Sequence, residues 1–199
     1  MGGSGSRFST YGTPQAANTF FGVGSGGAFD IWDSEIMDFE RDSVIGYTGN
    51  DYKWMNKALR KDEFDQLDLF DQAKINNVEA ALKQFDLTRS ITVFRNSSDT
   101  LIGGFSTPDE INKYLKGAIV QDKGFMSTTV IKSTKTGFFG HIRYEVKVPK
   151  GKGRGAWVDP ISEYSGIEHE FLLQRGTRFR VTGARYDDYG NTVVQLRVL

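Results

Sequence analysis

The chain reads as an α+β domain: a helical amino-terminal third followed by strands. Three observations carry that expectation. Apolar residues recur at helical spacing up to Phe85, the period then shortens to a β-branched and aromatic run at Ile91–Phe94, and Gly or Pro punctuates every apolar run after Gly124. Helices first and strands after favour segregated α+β over alternating α/β.

Residues 1–28 are rich in Gly, Ser, Thr and Asn without periodicity and read as a flexible leader, leaving 29–199 as one domain. A helix is expected from Asp30, with Trp32, Ile36, Phe39 and Ser43 on one face. Tyr47-Thr48-Gly49-Asn50 breaks it, and Asp51–Arg60 forms a second, carrying Tyr52, Met55, Asn56 and Leu59. A third spans Phe64–Phe85, its stripe formed by Leu67, Phe70, Ile75, Val78, Leu82 and Phe85. Thr107-Pro108-Asp109-Glu110 is a capping box with proline in the first turn, opening a short helix to Ile119. Strands are expected at 91–94, 124–130, 141–148, 154–158, 167–174, 178–185 and 192–199.

Composition narrows the function. Lys plus Arg and Asp plus Glu balance at 25 each, so no bulk electrostatic pull toward nucleic acid or anionic membrane is expected. There is no cysteine and there are only two histidines, which excludes disulfides and thiolate metal sites and points to no metal. No apolar run approaches the roughly 20 residues needed to span a bilayer, and no signal peptide is visible, so membrane insertion is not expected. The compartment stays open between delivery into a host cell and action in the cytoplasm.

Three short stretches concentrate the chemistry: Val93-Phe94-Arg95-Asn96, Ser127-Thr128-Thr129 and Glu168-His169-Glu170. Each alone is ordinary strand composition. In this order they supply an arginine for phosphate, a hydroxyl to orient a carboxylate, and two carboxylates. In a strand, residues i and i+2 project to one side, so Glu168 and Glu170 are expected to point together with His169 facing away. Two such carboxylates repel, which raises one pKa. The division of labour known from glycoside hydrolysis then becomes available, with one carboxylate for a sugar cation and the other for a nucleophile's proton. Together the set suits chemistry on a diphosphate-linked sugar.

The order aromatic-Arg, Ser-Thr-Thr, Glu-X-Glu resembles the arginine-specific mono-ADP-ribosyltransferases, the bacterial toxin family that includes the enzymatic component of iota toxin. Tyr47-Thr48, Tyr52 and Asn56-Lys57-Ala58-Leu59-Arg60 are similar to its helical segment. Val148-Pro149-Lys150-Gly151 with Gly155-Ala156-Trp157, and Glu168–Leu173 with Arg175-Gly176, are similar to its turn and final strand. The resemblance covers about Ile31 to the carboxyl terminus. It implies an ADP-ribosyltransferase fold with two packed β-sheets around an NAD cleft, NAD as substrate, and a protein acceptor with an accessible arginine.

The resemblance also implies roles. Glu170 stabilises the sugar cation, Glu168 engages the acceptor, and Ser127 holds Glu170. Arg95 clamps the phosphates, with Arg143 a displaced candidate for the second contact. Asn96, Tyr47, Tyr52 and Asn56 contribute to the NAD cleft, and Phe138 or Phe139 covers the nicotinamide. Tyr164, in the loop before the glutamates, is the target-recognition residue. Glu rather than Gln at 168 favours arginine over asparagine. Three alternatives stand beside this reading: NAD hydrolysis to ADP-ribose, a nucleic-acid acceptor met by the strip Lys147, Lys150, Lys152 and Arg154, or an inactive binding module of the same fold.

Overall fold

The computed structural model describes residues 8–97, 101–132 and 142–199. Residues 1–7 of the expected leader, Phe138, Phe139 and His141 lie outside them. The helical part comprises α1 (Pro14–Phe21), α2 (Ala28–Glu35), α3 (Asp38–Gly46), a π-helical turn (Tyr47–Asp51) and α4 (Tyr52–Arg60). A 3-10 turn at Phe64–Gln66 and α5 (Leu69–Gln84) complete it. Then follow β1 (Asp86–Leu87), β2 (Ile91–Ser97), α6 (Pro108–Tyr114), β3 (Ile119–Gln121), β4 (Met126–Thr129), β5 (Ile142–Val148), β6 (Gly151–Lys152) and β7 (Gly155–Trp157). A 3-10 turn at Asp159–Ile161 precedes β8 (Glu170–Leu173), β9 (Arg178–Tyr186) and β10 (Thr192–Val198). No helix among the described residues is long and apolar enough to cross a membrane.

The expected α+β class is the one observed. The large sheet runs β3-β9-β10-β5-β2-β4-β8-β7, and β1 pairs with β6 in a small second one. Within the large sheet, β2 and β4 meet at one Cα pair, Phe94↔Thr129, whereas β2 pairs with β5 along its whole length. That junction divides five strands from three, and the functional cleft lies beside it. Helices and strands share one apolar core that includes Trp32, Tyr47, Ile75, Leu82, Phe125, Tyr144, Trp157 and Phe171. Burying a side chain of this size stabilises by roughly 1.5–3 kcal/mol.

Residues 8–28 differ from a flexible leader. Ser9 pairs with Ile91 and Tyr11 with Ile131, so the segment crosses strand ends before entering α1. Thr13 caps that helix by accepting from the Ala16 amide at 3.2 Å, and Pro14 occupies its first turn. Phe21 is buried and stacks on Trp157 at 4.8 Å between ring centroids. Gly22 ends the helix at φ +76°, where a Cβ would stand 2.3 Å from the Gly27 Cα. Aromatic burial overrides the polar composition here, and the cap, the proline and the glycine were the sequence signals for it.

The long helices are also cut shorter than their periodicity suggests. The first breaks at Ile36 (ψ 143°) and restarts because Glu40 accepts the Met37 amide at 3.0 Å; Phe39 then falls outward, 58% exposed. Asp68 accepts the Asp71 amide at 2.8 Å and starts α5 afresh. Phe70 is thereby left in an exposed first turn, while Ile75, Val78, Leu82 and Phe85 are buried as expected.

Candidate active site

Cross-strand register builds the floor of the site. Phe94, Thr129 and Glu170 lie in one row across β2, β4 and β8. Arg95 follows Phe94, and its Nη1 donates to the Ser127 carbonyl at 2.9 Å. The wall is the π-helical turn and α4. Between floor and wall is a cleft of about 620 Å3, lined by Tyr47, Tyr52, Asn56, Arg95, Ser127, Tyr164, Glu168 and Glu170 among others. Eight expected site residues thus meet in one cavity.

Glu170 dominates the electrostatics. It is 1% exposed, and neither carboxylate oxygen has a hydrogen-bond partner among the described residues. Burial pushes its pKa up to about 8, Glu168 and Asp159 add to the rise, and Ser127 and Arg95 oppose it. Ser127 is therefore close enough to favour the charged form without meeting hydrogen-bond geometry. A buried polar atom left unpaired costs about 1–3 kcal/mol, so the cavity is built to receive a donor. Glu168 is half-buried and raised by burial and by the Asp159 charge.

The pair does not arise as strand alternation predicts. β8 begins at Glu170, leaving Glu168 in the preceding loop, and His169 takes a left-handed φ of +52°. A turn sets this course: the Ile167 amide donates to the Tyr164 carbonyl at 3.0 Å, and the Gly166 amide donates to the buried Asp159 carboxylate at 3.3 Å. The left-handed residue redirects the chain, so both carboxyl groups still face one cleft. His169 Nδ1 lies 3.8 Å from Asp159 Oδ1.

The helical contributors divide by task. Tyr47 is fully buried and pushed well above the usual phenol range by burial and by Glu170. Asn56 Nδ2 donates to the Tyr47 hydroxyl at 2.9 Å, while Asn56 Oδ1 accepts the Phe125 amide at the same distance. Asn56 thus fastens α4 to Phe125, the residue that leads into β4. Tyr52 stands at the mouth, 41% exposed.

Two expected residues are elsewhere. Arg143 lies over the Phe94 ring at 5.0 Å and lines a separate cavity with Glu145, Arg185 and Asp187, because it pairs with Asn96 and so shares the face of Phe94, whereas Arg95 alternates to the other side of β2. Asn96 does not line the cleft either. Conversely, Lys53, Lys57 and Arg60 line it; the resemblance covers Lys57 and Arg60 as part of a helical segment but gives none of the three a role, although their spacing on one helical face is visible in the sequence. Arg60 also forms a bidentate pair with Asp122, at 2.9 and 2.8 Å. Asp159 was missed for a better reason: nothing in an Asp-Pro dipeptide announces a buried carboxylate behind two others.

The cavity thus offers unpaired carboxylate oxygens for hydroxyl donors beside cations for an anionic group, a set that fits NAD. The comparisons agree. A family profile described as ADP-ribosyltransferase exoenzyme matches residues 26–198. No curated protein matches by sequence. Among solved structures, Plx2a, an ADP-ribosyltransferase toxin from Paenibacillus larvae, is similar at 25% identity over 96% of this chain and 98% of its own, with a TM-score of 0.81. C3larvin toxin, an ADP-ribosyltransferase from the same organism, shares 26% identity over 86% of this chain and 92% of its own, with a TM-score of 0.68. C3stau2 from S. aureus, solved with NAD, shares the fold at 18% identity over 97% and 99%, with a TM-score of 0.80. The arginine-specific class with the iota-toxin component is a finer division than any of these makes. The chain belongs to the ADP-ribosyltransferase exoenzyme family, whose members share NAD-dependent ADP-ribosyl transfer.

Proposed function

We propose that the chain is a mono-ADP-ribosyltransferase toxin or effector that breaks the nicotinamide–ribose bond of NAD and transfers ADP-ribose to an arginine of a target protein. The observation that carries the reading is the carboxylate pair: Glu170 buried with both oxygens unpaired among the described residues, and Glu168 in the same cleft.

As the glycosidic C–N bond breaks, its electrons return to the nicotinamide ring nitrogen and leave an oxocarbenium-like ribose. Glu170 accepts a ribose hydroxyl and faces that cation, where preorganised electrostatics give the largest catalytic gain. The pyridinium charge of bound NAD favours the ionised carboxylate, so substrate lowers the pKa that burial raised. Ser127 steadies Glu170. Arg95 holds the diphosphate as only a guanidinium can, through paired hydrogen bonds, with Lys53 and Lys57 in the same cleft. Glu168 orients the acceptor guanidinium and takes its proton as the new bond to the anomeric carbon forms. Tyr52 and Tyr47 flank the dinucleotide, and Phe138 or Phe139 covers the nicotinamide. Tyr164, 40% exposed beside the cleft, meets the target surface.

Nicotinamide release with and without an arginine analogue tests the reading. Release that accelerates as the analogue becomes ADP-ribosylated is the expected result. Release into water alone would make the chain an NAD glycohydrolase, labelling of nucleic acid would replace the acceptor class, and no release would leave a binding module.

A further inference from the structure

The π-helical turn Tyr47–Asp51 presents consecutive residues to two different parts of the site. Tyr47 points toward the floor, where its hydroxyl donates to the Phe125 carbonyl at 3.4 Å while accepting from Asn56 of the wall. Thr48 and Gly49 instead meet the loop that carries Tyr164 and Glu168. The buried Thr48 hydroxyl donates to the Ile45 carbonyl at 2.8 Å, which leaves its lone pairs for the Glu163 amide at 3.1 Å. Beside it, a Cβ on Gly49 would stand 1.8 Å from Glu163 Oε2. The Glu163 carboxylate thus lies over the bare Gly49 backbone, as the exposed far end of a side chain that can swing clear of an added methyl.

We infer that Thr48 clasps the Tyr164–Glu168 loop through the Glu163 amide and positions it for the acceptor, making the π-helical turn the link between NAD binding and acceptor choice. A π-turn is rare and recurs at functional sites. Here the wider turn aims neighbouring residues at separate targets. Glu170, Ser127 and Arg95 are held by strands and do not depend on the clasp. Glu168 lies outside β8 and does.

The inference rests on the proposed transfer reaction, and its test separates the two. Nicotinamide release in water and transfer to an arginine analogue are measured for each variant, with amide hydrogen exchange across residues 162–168. Thr48→Val removes the acceptor while keeping the shape. It is expected to lower transfer about tenfold, the upper range for one hydrogen bond, to lower release by a factor at least about threefold smaller, and to speed exchange in the loop. Thr48→Ser keeps the hydroxyl and retains both activities. Glu163→Ala, which removes the carboxylate over Gly49 but keeps the backbone amide that Thr48 holds, retains both activities and the exchange rate of the loop. Equal losses in transfer and release, a loss of transfer in Glu163→Ala as large as in Thr48→Val, or unchanged exchange in Thr48→Val would each overturn the clasp. A wild-type chain that releases no nicotinamide would refute the proposed function, and the exchange data would still decide the clasp.

Discussion

Replacing Glu170 by Gln converts an electrostatic feature of the site into a measurable stability. Its carboxyl is 1% exposed and pushed up to about 8 from an ordinary 4.5. In the unfolded chain the group ionises near 4.5, so between these values the native state binds the extra proton. Its favourable contribution is fully present below the unfolded value and is lost as pH rises toward 8. Each tenfold step is worth about 1.36 kcal/mol, which gives a loss of about 4 kcal/mol between roughly pH 5 and pH 9. Glutamine cannot ionise and escapes that loss. Glu170→Gln should therefore match the wild type at pH 5 and exceed it by about 4 kcal/mol at pH 9, or roughly 10 °C in Tm for a domain of this size. Thermal and urea unfolding across that range measure it. A gap between the two proteins that does not change with pH would refute the burial argument for Glu170.

Further outcomes follow from the same geometry. Because Glu170 works ionised, kcat/KM for nicotinamide release should rise with pH through about 8, whereas the limb in kcat should sit lower, since bound NAD brings a cation; a flat profile would remove Glu170 from the chemistry. Arg95→Lys should weaken NAD binding by roughly 1.5–3 kcal/mol, the worth of a charged hydrogen bond, and unchanged affinity by calorimetry would move the phosphate clamp to Lys53 and Lys57. Phe21→Ala should cost about 3–5 kcal/mol of stability by opening a cavity against Trp157, and a loss below 1 kcal/mol would show that α1 is dispensable.

Much of this was legible because the signals were local. The capping box at Thr107 forms as written: its hydroxyl accepts from the Glu110 amide at 3.4 Å, and the Glu110 carboxylate accepts from the Thr107 amide at the same distance. The strand series was visible from Gly and Pro punctuation, and Arg95, Ser127 and Glu170 were visible as an ordered set whose convergence in one cleft only the register could provide. What escaped depends on contacts distant in sequence. Phe39 and Phe70 fit a helical stripe, but caps at Glu40 and Asp68 reset each helix and turned them outward. Phe21 sits in glycine-rich sequence, yet Trp157 gives it a stacking partner far along the chain. The side of Glu168 was expected for the wrong reason, since a left-handed His169 and the Asp159–Gly166 contact, not strand alternation, bring it to the cleft. No local pattern encodes such a turn.

The most direct test of the account compares Glu168→Gln and Glu170→Gln with the wild type, measuring nicotinamide release from NAD and ADP-ribosylation of an arginine analogue on the same preparations. The account predicts that Glu170→Gln loses both activities while staying folded, and that Glu168→Gln loses transfer but keeps much of the release into water. Wild-type turnover in Glu170→Gln would contradict it outright, and joint loss of both activities in Glu168→Gln would contradict the separate roles of the two carboxylates.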